Sequence, residues 1–104
     1  MDNVHQQVGM QWFQSAGAFN NPDLLFIGAG YPDPDGGGMS QSQYRVEFSL
    51  YAVLGAPLIL SCDLAAVRND SFVRGLVLNP EILAINQVRK TPSWPRSWAN
   101  FSLF

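Results

Sequence analysis

The chain has 104 residues and a mass of 11.5 kDa, which makes one ordinary domain or one piece of a larger one. Six Lys and Arg against eight Asp and Glu give a net charge of −2, which argues against a nucleic-acid binder, whose affinity rests on basic side chains neutralising phosphates. Charged residues are 13% of the chain, against a usual ~25%, and apolar residues reach 47%, so this is no disordered tail and much of its surface is built to be covered, by a partner or by the rest of its own domain.

Residues 3–18 are mildly amphipathic: Val4, Val8, Trp12 and Phe13 recur at helical spacing, with Gln6, Gln7 and Gln14 elsewhere, and Gly9 weakens the pattern. Residues 15–21 read as loop. Residues 23–27 (D-L-L-F-I), closed by Gly28, fit a short strand buried on both faces. Residues 28–39 hold five glycines and two prolines, which make a loop. Ser40 with Gln43 three residues on is an S-x-x-Q capping box. It opens a predicted helix over 41–54, with Tyr44, Phe48 and Tyr51 on one stripe and Leu50, Val53 and Leu54 beside it. Gly55 fits the position just past the helix end, and Pro57 forbids continuation. Residues 58–60, extending at most to Cys62, form a second short apolar strand, and 63–69 read as loop or turn. Residues 71–78 are helical, with Phe72, Leu76 and Val77 apolar, and Pro80 starts another short helix through Ile85, since proline is tolerated at the first helical position. After Gln87 the pattern stops, and 91–104, with two prolines and two tryptophans, show no period.

Short apolar strands alternating with helices imply parallel βα units. Parallel strands are buried on both faces, and each strand here needs neighbours the chain does not contain. The residues alone therefore describe part of an α/β domain.

Several motifs are weak on inspection. The single Cys62 excludes an internal disulfide framework and a multi-cysteine zinc site, and the single His5 excludes H-E-x-x-H and argues against a Ser-His triad. Gly28-Ala29-Gly30 after a strand has the start of a dinucleotide fingerprint, but the third glycine position is Asp33, and Pro32 and Pro34 block the helix that would hold the phosphate. Asp33-Pro34-Asp35-Gly36 opens like a calcium loop, but position twelve is Tyr44, not a glutamate. Trp94 and Trp98 read as core or partner-facing rather than ligand-stacking. Residues 50–60, the longest apolar run, are too short to span a bilayer, which needs ~20 residues. Met1-Asp2-Asn3 does not open a signal peptide, so the chain as written is expected to be cytosolic or to lack its true start. The sequons Asn69-Asp70-Ser71 and Asn100-Phe101-Ser102 matter only on a secretory route, and the compartment stays open.

The informative stretch is Asn20-Asn21-Pro22-Asp23-Leu24-Leu25-Phe26-Ile27-Gly28. A carboxylate here sits at the start of an apolar strand; from the residues alone it reads first as a turn Asp bonding nearby backbone N–H groups. The stretch resembles the W-N-D-P-D-M-L-x-I-G segment of the α-galactosidase and α-N-acetylgalactosaminidase family of glycoside hydrolases. In register, residues 49–64 resemble that family's F-x-L-W-A-x-L-x-A-P-L-x-x-S-x-D-L block, and residues 79–87 are similar to its N-K-E-V-I-A-I-N-Q. Three blocks in order are far more specific than any one, and they cover residues 16–87.

The resemblance implies a partial (β/α)₈ TIM barrel, the last two βα units. Residues 23–27 would be strand seven, 41–54 helix seven and 58–60 strand eight. Residues 70–86 would make the closing helix and a following turn, so that 1–88 is a piece of the barrel and 89–104 an unassigned tail. It implies retaining hydrolysis of terminal α-linked galactose on an oligosaccharide or glycolipid by two aspartates ~5 Å apart, with no cofactor. In the family both aspartates lie upstream of N-D-P-D-M. None of Asp2, Asp33, Asp35, Asp63 or Asp70 matches either motif, so no catalytic residue is assigned and the 104 residues alone are expected to be inactive. Two substrate-binding residues carry over: Asp23, accepting hydrogen bonds at the galactose, and Leu24, an apolar wall. Asn21 stands where the family has its first Asp, Leu24 where it has Met, and Phe19 where it has Trp. Family members are mostly secreted, lysosomal or vacuolar. Two other readings stay open: a non-catalytic remnant that binds the rest of a barrel, and an unrelated small α/β module that folds alone.

Overall fold

A computed structural model of the chain describes residues 5–7, 10–15, 17–30 and 37–87. The tail assigned to 89–104, with Trp94, Trp98 and the second sequon, lies outside the described residues, as do Asp33 and Asp35 of the glycine-rich loop.

The long helix forms as expected. Helix α1 spans Gln41–Leu54, with Ser40 as its N-cap. The Ser40 hydroxyl accepts the Gln43 N–H at 3.3 Å and the Gln43 side chain accepts the Ser40 N–H at 2.8 Å, so two otherwise unpaired donors are satisfied reciprocally. Gly55 closes the helix in the left-handed region at φ 62, where a side chain would be strained. Three shorter helices follow: α2 (Leu64–Asn69), α3 (Ser71–Val77) and α4 (Pro80–Gln87). Helix α2 corrects the expectation of a loop over 63–69. Asp63 and Asn69 suit turns, but the Asp63 carboxylate accepts the Ala65 N–H at 2.9 Å and so starts a helical turn instead. Asp70 then caps α3 through the Val73 N–H at 2.8 Å. The amphipathic segment over 3–18 does not form one helix: among its described residues His5 and Gln6 are helical, Gln11–Phe13 make a 3₁₀ turn, and Ser15 and Ala18 form an antiparallel bridge.

The two predicted strands also need correction. No strand forms among the described residues. In place of strands at 23–27 and 58–60 there is one parallel bridge, Leu25 to Leu60. The Leu25 N–H donates to Ile59 at 2.8 Å and the Leu25 carbonyl accepts from Ser61 at 2.9 Å. A parallel ladder grows through pairing on both sides of each strand, and among the described residues these two segments have only each other.

Both segments pack on the helices. Helix α1 packs against α3 and α4, and α2 against α3. The core joins Leu25 and Ile27 to Tyr44, Phe48 and Tyr51 of α1, Ala56, and Val73, Leu76 and Val77 of α3. Burying each such side chain contributes about 1.5–3 kcal/mol. Leu25 and Ile27 are fully buried while Leu24 and Phe26 face out, the alternation of extended chain covered on one face. Gly28 ends the segment at φ 81 against α3; a Cβ there would meet the Val73 Cγ1 at 3.2 Å.

Candidate functional site

Asp23 precedes the bridged segment and is the one non-glycine residue with positive φ among the described residues, at 103°. Such a conformation costs about 1–3 kcal/mol and persists only where the surroundings over-determine it. Local polar bonds do part of this. The Asp23 N–H donates to Asn21 Oδ1 at 3.0 Å, and Asp23 Oδ1 accepts the Leu24 N–H at 2.8 Å. Asn21 thus does with its amide oxygen what a carboxylate could also do there. The turn reading of Asp23 is correct as far as it goes. Asp23 as a whole is exposed.

The surroundings are amide-rich. Gln6, Gln7, Asn21, Pro22 and Asp23 line a shallow open cavity of about 310 Å³. Among the described residues these side chains offer amide donors and acceptors and one carboxylate. Leu24 does not line this cavity. It lies exposed beside Asp23, joined to it by the N–H to carboxylate bond. The structure therefore puts the two expected site residues side by side and assigns only Asp23 to the cavity. Among the described residues no three His, Cys, Asp or Glu side chains converge as metal ligands. No helix among them is long and apolar enough to cross a membrane.

Helix α1 bonds the backbone on either side of Asp23. The buried Tyr51 hydroxyl donates to the Pro22 carbonyl at 3.3 Å. One turn earlier, Glu47 Oε1 accepts the Phe26 N–H at 3.0 Å, while its Oε2 is shut from solvent with no hydrogen-bond partner among the described residues. Burial raises the Glu47 pKa above the ordinary 4.5, and the Phe26 N–H opposes that rise. Burial also raises the Tyr51 pKa, helped by the negative charges of Glu47 and Asp23. In the sequence Glu47 belongs to no motif. Its signal was a carboxylate beside the apolar stripe of Tyr44, Phe48 and Tyr51.

The family model described as Alpha galactosidase A matches residues 3–88. A probable alpha-galactosidase of Dictyostelium discoideum is 34% identical over 87 residues, covering 84% of this chain and 20% of that protein. An alpha-galactosidase of Oryza sativa subsp. japonica is 34% identical over 79 residues, 74% of this chain and 17% of its own length. One from Cyamopsis tetragonoloba is 36% identical over 75 residues, 72% of this chain and 16% of its own length. The class is thus that of the glycoside hydrolases with a TIM barrel. Within it, the chain belongs to the alpha-galactosidase A family. It spans a fifth or less of the length of these curated relatives.

Proposed function

We propose that this chain is the last part of the catalytic barrel of an α-galactosidase-type hydrolase, strands seven and eight with their helices. The whole enzyme would remove terminal α-linked galactose from oligosaccharides or glycolipids with retention, using two aspartates supplied by earlier strands. Carboxylates and water suffice for that chemistry. This chain would contribute Asp23 as a hydrogen-bond acceptor for the galactose and Leu24 as an apolar contact.

The observation that carries the reading is Asp23 itself: an exposed carboxylate in a strained backbone, beside an amide-lined cavity, at the entry of a segment paired in parallel. An ionised acceptor takes hydrogen bonds from sugar hydroxyls more strongly than a neutral one. The parallel direction of the Leu25–Leu60 pair supports a barrel rather than a hairpin.

The test is the intact mass of the native protein together with its turnover of an aryl α-galactoside. The reading expects a mass several times 11.5 kDa and galactose release, with none from the 104 residues alone. A native mass near 11.5 kDa with no turnover would replace it with the non-catalytic reading, which the lack of a matching catalytic aspartate in this sequence favours.

A further inference from the structure

One helix holds the strained residue from both sides. Glu47 and Tyr51 are four residues apart on α1 and so project from one face. Tyr51 anchors the Pro22 carbonyl, in the peptide bond just before Asp23, and Glu47 anchors the Phe26 N–H three residues after it. Between these anchors Leu25 is fixed by Ile59 and Ser61, so the Asp23–Leu24 backbone has little room to relax.

Core packing does not account for Glu47. The stripe it joins is otherwise apolar, and a half-buried carboxylate with one oxygen unpartnered among the described residues is a costly choice where a leucine would fill the space. What Glu47 supplies is an acceptor aimed at a single backbone N–H. The Tyr51 hydroxyl is likewise used on one carbonyl.

We propose that Glu47 and Tyr51 are positioning residues that hold Asp23 at its positive φ and thereby set the direction of its carboxylate toward the sugar. This rests on the reading of Asp23 as a galactose contact.

Two measurements on the full native protein test it. The first is galactose affinity by calorimetry. Tyr51→Phe and Glu47→Ala are expected to raise the dissociation constant about five-fold, the scale of one lost hydrogen bond. Glu47→Gln, which keeps an oxygen for the Phe26 N–H, is expected to recover most of that loss. The second is a thermal double-mutant cycle between Asp23→Gly and Tyr51→Phe. Glycine adopts positive φ without strain, so Asp23→Gly should raise the thermal midpoint in the native background. In the Tyr51→Phe background Asp23 is already free to relax, and the gain should fall by half or more.

Additive midpoint shifts, or unchanged galactose affinity in both Tyr51→Phe and Glu47→Ala, overturn the proposal. Should Glu47→Ala fail to fold, Tyr51→Phe and Glu47→Gln decide alone. If Asp23→Ala leaves galactose affinity intact, it is the sugar-contact reading that fails, while the cycle still reports whether α1 holds Asp23.

Discussion

A single backbone angle, φ 103 at Asp23, is what the proposed site role of this residue rests on at the residue scale. An Asp that only closes a turn can do so at ordinary φ, so a positive φ is the strain that the proposed sugar contact would account for. Asp23→Ala in the native protein is therefore expected to weaken galactose binding by more than about 1 kcal/mol, read as a rise in the inhibition constant of free galactose. Unchanged KM and kcat would remove Asp23 from the site. Glu47 gives a second prediction at this scale. Its folded pKa is raised, so the folded state holds its proton to higher pH than the unfolded chain does. The stability it contributes is full below the ordinary 4.5 and is lost as pH rises through the folded value. Glu47→Gln cannot lose a proton. Its thermal midpoint relative to the native protein should therefore grow with pH across that window, and parallel midpoint curves would show that the carboxylate titrates alike in both states.

At the scale of elements, ends matter more than middles. Helix α1 is closed by Gly55 and also tied from a distance: Asn86 of α4 donates from Nδ2 to the Ala56 carbonyl at 2.9 Å and approaches the Tyr51 carbonyl at 3.5 Å. The Tyr51 carbonyl already accepts the Ala56 N–H at 3.1 Å, so the shorter Asn86 bond, to the carbonyl just past the end of α1, is the one that fixes α4 against it. Asn86→Ala is expected to cost about 1–2 kcal/mol, seen as a lower thermal midpoint, with the helix content of the folded state unchanged by circular dichroism. Elements of this kind divide sharply in how legible they are. Ser40, Gln43, Gly55 and Pro57 lie within one turn of the ends they control, so the bounds of α1 follow from local chemistry. Asp63 and Asn69 are ambiguous, because the side-chain oxygen that closes a turn also caps a helix, and so the local pattern does not distinguish α2 from a loop. The site divides the same way. Asp23 stands out through a contiguous motif. Tyr51 and Glu47 bond the backbone of its neighbours Pro22 and Phe26 from 29 and 21 residues away, and no local pattern announces which backbone group a side chain will find.

For the whole molecule the decisive quantity is what remains uncovered. Among the described residues the bridged segments have one paired neighbour each and turn Leu24, Phe26 and Ile59 outward at 45–47% exposure, with Trp12, Val53 and Leu64 more exposed still. Low charge makes this worse, since little repulsion keeps such faces apart. Parallel segments with open sides are templates for further pairing, and in a barrel the neighbouring strands would close them. The helical core, centred on Tyr44, Phe48 and Val73, is well buried, so the isolated chain should collapse and keep helical signal without a fixed outer layer. We therefore expect the 104 residues, expressed alone, to bind a hydrophobic dye, to show a broad thermal transition and to associate as concentration rises. The same residues within a complete barrel should unfold cooperatively and leave the dye unbound. A sharp, concentration-independent transition in the isolated chain would mean that its outward apolar side chains need no cover. That would favour a small α/β module that folds alone over a segment of a larger enzyme.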